Sequence, residues 1–264
     1  MLRLAALVLL AAAAAACTTE RRLECAATLA ALKTQPGPNE PERRVALASP
    51  TSDPFFAGLP RLALVAARMR AAPPDPPERV RIGRFEDAEA DIRAGLRDRG
   101  RRDVAVLYVR GTSVAVASPP DRAAAVLVDL AAERDALSAD EAEDLGPLGD
   151  GGRRMRFALL GMGPSLFKID LRWTVSATRR ARPDGTVLVR YDLDPEPAPE
   201  NVSLFAGVSI LEPWQGGTRW TEVVVVGSPL TPPPLTGGSA RAEATRILTR
   251  RIERLAARMH GTAK

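Results

Sequence analysis

Across residues 167–177 the chain alternates strictly. Odd positions carry Phe, Ile, Leu, Trp, Val and Ala, and between them stand Lys168, Asp170, Arg172, Thr174 and Ser176. Only an extended strand sends successive side chains to opposite faces. The pattern therefore predicts an antiparallel strand with one face on a core and the other in water. Pro183-Asp184-Gly185 then reads as a turn, and Val187, Val189, Tyr191 and Leu193 repeat the alternation, which predicts a hairpin. Met155, Phe157 and Leu159 supply a strand before it; residues 204–211 and 218–226 supply two after it, joined at Gln215-Gly216-Gly217. The period then changes. Ser239 is a cap residue, and Ala244, Leu248, Ile252, Leu255 and Met259 share one face of a long terminal helix. A curved sheet with an apolar face needs a cover, and this singly striped helix provides one. The predicted fold class is α+β: a curved antiparallel β-sheet gripping a long C-terminal α-helix.

Upstream the signals are weaker. Val104, Val106 and Tyr108 begin a strand, Arg110-Gly111 reads as a break, and Val114 and Val116 read as a second short strand. Ser118-Pro119-Pro120-Asp121 is a helix entry, with Val126, Leu127 and Leu130 on its apolar side. The acidic stretch 133–144 is expected to be loosely helical. Phe55, Leu59, Leu62, Ala66 and Met69 fall at helical spacing after Asp53-Pro54, between proline clusters at 36–41 and 73–77. Ala88, Ile92 and Leu96 mark a further helix that Gly100 stops. The expected organisation is a leader at 1–16, a proline-rich tether with one embedded helix at 17–82, and the main domain at 83–260. That embedded helix is expected to dock on its own domain.

The first residues bound the compartment. Arg3, the apolar run from Leu4, and Ala11 to Ala16 give the charged–apolar–small layout of a secretory signal, at about 15 apolar residues too short for a comfortable membrane span. Ala14-Ala15-Ala16-Cys17 resembles the lipobox of bacterial lipoproteins. That resemblance implies lipidation of Cys17 and a membrane contact through the anchor. Thr18 after the cysteine, in place of aspartate, implies outer-membrane delivery. The expected location is the cell envelope, as an outer-membrane lipoprotein facing the periplasm; with a cleaved signal alone, the chain is secreted. Cys17 and Cys25 are the only cysteines, so either Cys25 is a lone thiol near the anchor or the two close a small loop. Neither arrangement is a metal site, and no cofactor is expected.

Composition excludes further classes. Lys and Arg outnumber Asp and Glu by 37 to 32, and without Arg3 the excess is 36 − 32, or +4. Aromatics are only 4% and no basic stripe interleaves with them, so nucleic acid is not an expected partner. His260, the single histidine, stands at the end of the last helix, which leaves no Ser-His-Asp or Cys-His arrangement. The acidic groups Asp140–Asp144 and Asp192–Glu200 lack calcium-loop spacing and read as solvated surface. Arg246, Arg250, Arg254 and Arg258 recur opposite the helix's apolar stripe; they read as a solvated face, with attraction to anionic lipid as the functional alternative.

From Asp103 to Met259 the chain resembles a START-like, or helix-grip, domain. The resemblance rests on 114–118 before Pro-Pro and a helix, the broad hairpin 171–191, Ile210-Leu211-Glu212-Pro213 before Gly216-Gly217-Thr218-Arg219, and the terminal helix. Glu133-Arg134-Asp135 stands where that family often has a tryptophan. The resemblance implies a cavity between sheet and terminal helix that takes lipids, sterols, polyketides or other hydrophobic molecules. On the alternation, Phe157, Ile169, Trp173, Tyr191 and Leu248 would line it, and each is equally readable as packed core. The expected function is to bind or shuttle a hydrophobic ligand such as a lipid. The alternatives are a non-catalytic interaction module of the envelope, or a cyclase/aromatase-like enzyme in the same cavity. For the enzyme no catalytic residue is assigned, because alternation turns Asp170 and Arg172 outward.

Overall fold

A computed structural model of the chain describes Phe55 and residues 59–98, 100–101, 103–162, 168–230 and 237–261. The expected leader at 1–16, and Cys17 and Cys25, lie outside the described residues. One antiparallel sheet of eight strands organises the chain, in the order β1-β2-β8-β7-β6-β5-β4-β3. The strands are β1 (Gly83–Arg84), β2 (Val106–Val116), β3 (Glu141–Pro147), β4 (Arg153–Met162), β5 (Ile169–Ala181), β6 (Val187–Asp194), β7 (Leu204–Trp214) and β8 (Gly217–Ser228). Helices α1 (Pro60–Arg70) and α2 (Glu86–Asp98) precede β2. Helices α3 (Pro120–Leu127) and α4 (Leu130–Leu137) follow it, and α5 (Gly237–Gly261) ends the chain. This is a helix-grip architecture with two additional helices ahead of it.

Hairpins set the register from β3 to β8. At the β7–β8 turn both Gln215 and Gly216 have positive φ, 45° and 82°, the conformation whose twist matches the flanking strands. At the β5–β6 turn Gly185 has φ 79°, and the Asp184 carboxylate accepts from the Thr186 amide at 2.9 Å. Register shifts in β3–β4 at Asp144/Gly146 and in β4–β5 at Leu159/Met162 are irregularities of the kind that bend a sheet around its cover.

The sheet is buried on both faces at its β2-β8-β7-β6 side. Inward, Val114, Val116, Trp220, Leu211, Val189 and Tyr191 join Phe157, Trp173 and Val175 from β4 and β5. They pack with Ala123, Ala124 and Leu127 of α3 and with Ile252, Leu255 and Met259 of α5. Outward, Leu107, Val109, Val223, Val225, Val208, Ile210 and Leu188 pack under Leu62, Val65 and Ala66 of α1 and Ala88 of α2. Burial on both sides explains why Val223-Val224-Val225-Val226 is a continuous apolar run and not an alternating one. On the far side the outer face is wet. There Arg156 of β4 pairs with Glu143 of the neighbouring β3 at 2.7 Å, and Arg172 of β5 reaches across β4 to Glu141 of β3 at 2.6 Å.

Two local expectations are corrected. Residues 106–116 form one strand, with no break at Arg110-Gly111. Gly111 serves approach instead of a turn: an added Cβ would lie 3.1 Å from the Phe85 ring and 3.3 Å from Met69, so the glycine lets the outer helices come close. The acidic stretch is also not helical throughout. Helix α4 ends at Leu137, Ser138 turns left-handed at φ 54°, and residues 141–147 form the edge strand β3. An edge strand with exposed charges on both faces carries no period for a sequence reading to find.

The α5 stripe is shifted slightly from expectation. Ile252, Leu255 and Met259 are fully buried as the helical spacing requires, and Ile247 packs against the same core. The helix's last turn is tied to the sheet: the Ser118 hydroxyl donates to the Met259 carbonyl, and the Thr218 hydroxyl donates to the Ser118 carbonyl at 2.6 Å. None of the described helices is long and apolar enough to cross a membrane.

Candidate functional site

A row of polar side chains crosses the concave face under α5. On β8 the inward positions run Trp220, Glu222, Val224, so Glu222 enters the core by simple alternation. Its cross-strand partners are Thr112 on β2 and Ser209 on β7, and one strand further Tyr191 of β6 pairs with Gly207. Above this row stands Arg251 of α5, and beside it Glu133 from the first turn of α4. The start of α4 is fixed by Asp129, whose carboxylate accepts from the Ala132 amide at 2.6 Å.

The connections are dense. Arg251 donates from Nε to Glu133 Oε2 at 2.8 Å and from Nη2 to Oε1 at 2.7 Å, a bidentate pair. Its Nη1 donates to Glu222 Oε1. The other Glu222 oxygen accepts from Ser209 Oγ at 2.8 Å, and Ser209 accepts from Trp220 Nε1 at 3.1 Å. The guanidinium also lies 5.8 Å from the Tyr191 ring centre, within cation–π range. Glu222, Glu133 and Arg251 are 2%, 3% and 7% exposed. Two further hydroxyls of the row are buried: Thr112 Oγ1 has no hydrogen-bond partner among the described residues, and Tyr191 Oη lies beside Ser209.

Charge in this cluster does not balance: two carboxylates meet one guanidinium. Burial, partly offset by Arg251, holds the Glu133 carboxyl above the ordinary glutamate range. Burial alone would lower the Arg251 pKa, but Glu133, Glu222 and Tyr191 together more than offset it, so the guanidinium stays charged. Burial, reinforced by Glu222, pushes the Tyr191 phenol well above its usual value and keeps it a neutral donor. Gly207 is the small residue that accommodates Tyr191. An added Cβ there would lie 3.3 Å from the tyrosine ring and 2.9 Å from a Val224 methyl.

The residues expected from sequence are distributed unevenly around this cluster. Phe157, Trp173 and Tyr191 are buried on the concave face, with the Phe157 and Trp173 rings 5.8 Å apart and tilted by 36°. Ile169 is not inward: it opens β5 at the rim and is 37% exposed. Leu248 is half-buried and lies outside the core cluster, because Ile247 takes the inward place on that turn. Arg251, Glu133, Glu222, Ser209 and Thr112 were missed. A signal existed: Arg251 stands four residues after Ile247 and four before Leu255, inside the apolar stripe, and Glu222 stands at period two between Trp220 and Val224. The arginines read as a solvated face divide. Arg254 donates to the Asp135 carbonyl and to Ser138, Arg258 pairs with Asp135 at 2.9 Å, and Arg246 pairs with Glu243. The acidic groups are paired with Arg153, Arg154, Arg156 and Arg172. Among the described residues no group of side chains is arranged to hold a metal ion.

No family model matches the chain, and no curated protein matches it. Solved structures are similar to it. The Zhui aromatase/cyclase from Streptomyces sp. R1128 is 15% identical over 60% of this chain and 97% of its own, with a TM-score of 0.45. A STAR-related lipid transfer protein from Xanthomonas axonopodis is 17% identical over 58% of this chain and 93% of its own, with a TM-score of 0.44. A START superfamily protein from Mycobacterium smegmatis is 13% identical over 58% and 98%, with a TM-score of 0.43. At these identities the likeness is one of fold; the site is argued from this chain's own residues.

Proposed function

We propose that the concave face binds a hydrophobic molecule, such as a lipid, whose polar end meets the row from Thr112 to Tyr191. The observation that carries this reading is a buried row of polar groups on the concave face, in which Thr112 Oγ1 has no hydrogen-bond partner among the described residues and the Tyr191 phenol lies beside Ser209. An unmade buried hydrogen bond costs about 1–3 kcal/mol, so a guest that bonds the Thr112 hydroxyl offsets that cost. Mostly apolar surroundings with a few convergent polar groups are the usual lining of a small-molecule site. The unbalanced carboxylates add a constraint. A ligand carboxylate would place a further negative charge beside Glu222, so the polar end is neutral, a hydroxyl or carbonyl that accepts from the Tyr191 phenol. In the same reading the chain is an envelope lipoprotein, acylated at Cys17, with no catalytic role for the cluster.

Native mass spectrometry of the full-length protein in mild detergent tests this, followed by denaturation of the same sample. A non-covalent adduct lost on denaturation supports the binding reading, and its mass begins to name the ligand. A clean unliganded mass favours the second reading, an envelope interaction module. That reading draws on the complete burial of Ile252, Leu255 and Met259 against the same face. Acyl mass on Cys17 is read separately, after denaturation.

A further inference from the structure

A groove lies beside α5 at the β1–β2 edge, past the Thr112 end of the polar row. Between the β1–β2 edge and the amino-terminal half of α5 runs a groove of about 690 Å³, lined by Ile82 and Arg84, by Arg110, and by Ala242, Thr245, Arg246, Thr249, Arg250 and Glu253. Four of these nine residues are arginines and one is an acid. Arg110 is already committed: it is buried and donates to Glu89 at 2.7 Å. The other three face water on different terms. Arg84 pairs with Glu86 at 2.9 Å, both exposed, and Arg246 pairs with Glu243 one turn away on its own helix. Exposed pairs of this kind contribute about 0–1 kcal/mol, so either guanidinium can turn to a better acceptor at little cost. Half-buried Arg250 makes no close ion pair among the described residues and interacts with Glu243 only at longer range; Glu253 beside it is exposed.

We infer that this groove is a binding site for a phosphate group. Guanidiniums arriving from β1 and from successive turns of α5 match the several oxygens of a phosphate, which accepts bidentate bonds from arginine. The floor of Ile82 and Ala242 gives an attached aliphatic part somewhere to lie. The same geometry separates Arg246 and Arg250 from Arg254 and Arg258, which α4 has already engaged through Asp135 and Ser138. A flat charged helix face would make no such division. The phosphate comes either from a lipid head group or from a soluble phosphoester.

The test uses the full chain and the double variant R246E/R250E, with R97E/R134E as a control of equal charge change outside the groove. Binding is read on vesicles of phosphatidylcholine with and without phosphatidylglycerol, and by calorimetry with glycerol 3-phosphate. The expected result is a gain from phosphatidylglycerol that R246E/R250E reduces about tenfold or more and the control does not. If glycerol 3-phosphate binds and displaces the vesicles, a soluble ester suffices; if it does not bind, the lipid head group is the source. The proposal is overturned if R246E/R250E binds as the parent does, or if the control loses as much. R246Q/R250Q repeats the comparison should the reversed charges disturb folding. None of these readouts depends on the concave-face ligand.

Discussion

Arg251 of α5 and Glu133 of α4, separated by 118 positions in the chain, share two hydrogen bonds of 2.7 and 2.8 Å within a fully enclosed site. The same guanidinium reaches Glu222 of β8, so one side chain links the covering helix to both a neighbouring helix and the sheet. Such a link is costly to form and more costly to break in half.

Replacing Arg251 by Met leaves two carboxylates buried without a counter-charge. The expected loss is about 3–5 kcal/mol of unfolding free energy, measured by urea denaturation. Replacing all three, with Glu133→Leu and Glu222→Leu added, removes the desolvated charges together and is expected to restore most of that loss. A triple variant as unstable as Arg251→Met would show that the cluster holds the fold by more than its charges.

Stability should also depend on pH through Glu133. Its folded carboxyl holds a proton to higher pH than an unfolded glutamate does, because burial disfavours the charged form. Between those two values the folded state binds more protons, so stability falls as pH rises through that window. In Glu133→Gln the side chain stays neutral and that decline should flatten. Chemical denaturation repeated across the acidic range gives both profiles, and parallel curves would contradict the assignment.

Tyr191→Phe separates packing from binding. The phenol oxygen forfeits only its approach to Ser209, so the ligand-free protein should lose no more than about 1 kcal/mol of unfolding free energy. Ligand affinity should fall by about fivefold to tenfold, the worth of one hydrogen bond. Equal loss of stability and affinity would mean the hydroxyl is bonded in the unliganded fold.

The outer helices are part of the folded body. Leu62, Val65 and Ala66 of α1 are each 1% exposed against the sheet's convex face. A chain beginning at residue 83 would uncover that face, and contiguous apolar surface of this kind drives association. It is expected to aggregate on purification, whereas one beginning at Pro50, where the compact unit starts, should remain monomeric in size-exclusion chromatography.

Periodicity determined much of this protein from sequence alone. Alternation at 167–177 and 187–193 and the single stripe of residues 252–259 point to a half-buried sheet with one helix across it, because that arrangement buries those faces together. Phe157, Trp173 and Tyr191 followed from the same argument. Tertiary structure decided the rest. Whether Arg110-Gly111 breaks a strand depended on Phe85 and Met69 approaching the glycine, a contact that local sequence does not contain. Arg251, Glu133 and Glu222 are ordinary charged residues until three distant segments bring them within hydrogen-bond reach in a buried core. Only there, away from the high dielectric of bulk solvent, do their charges acquire energies that a surface cluster lacks.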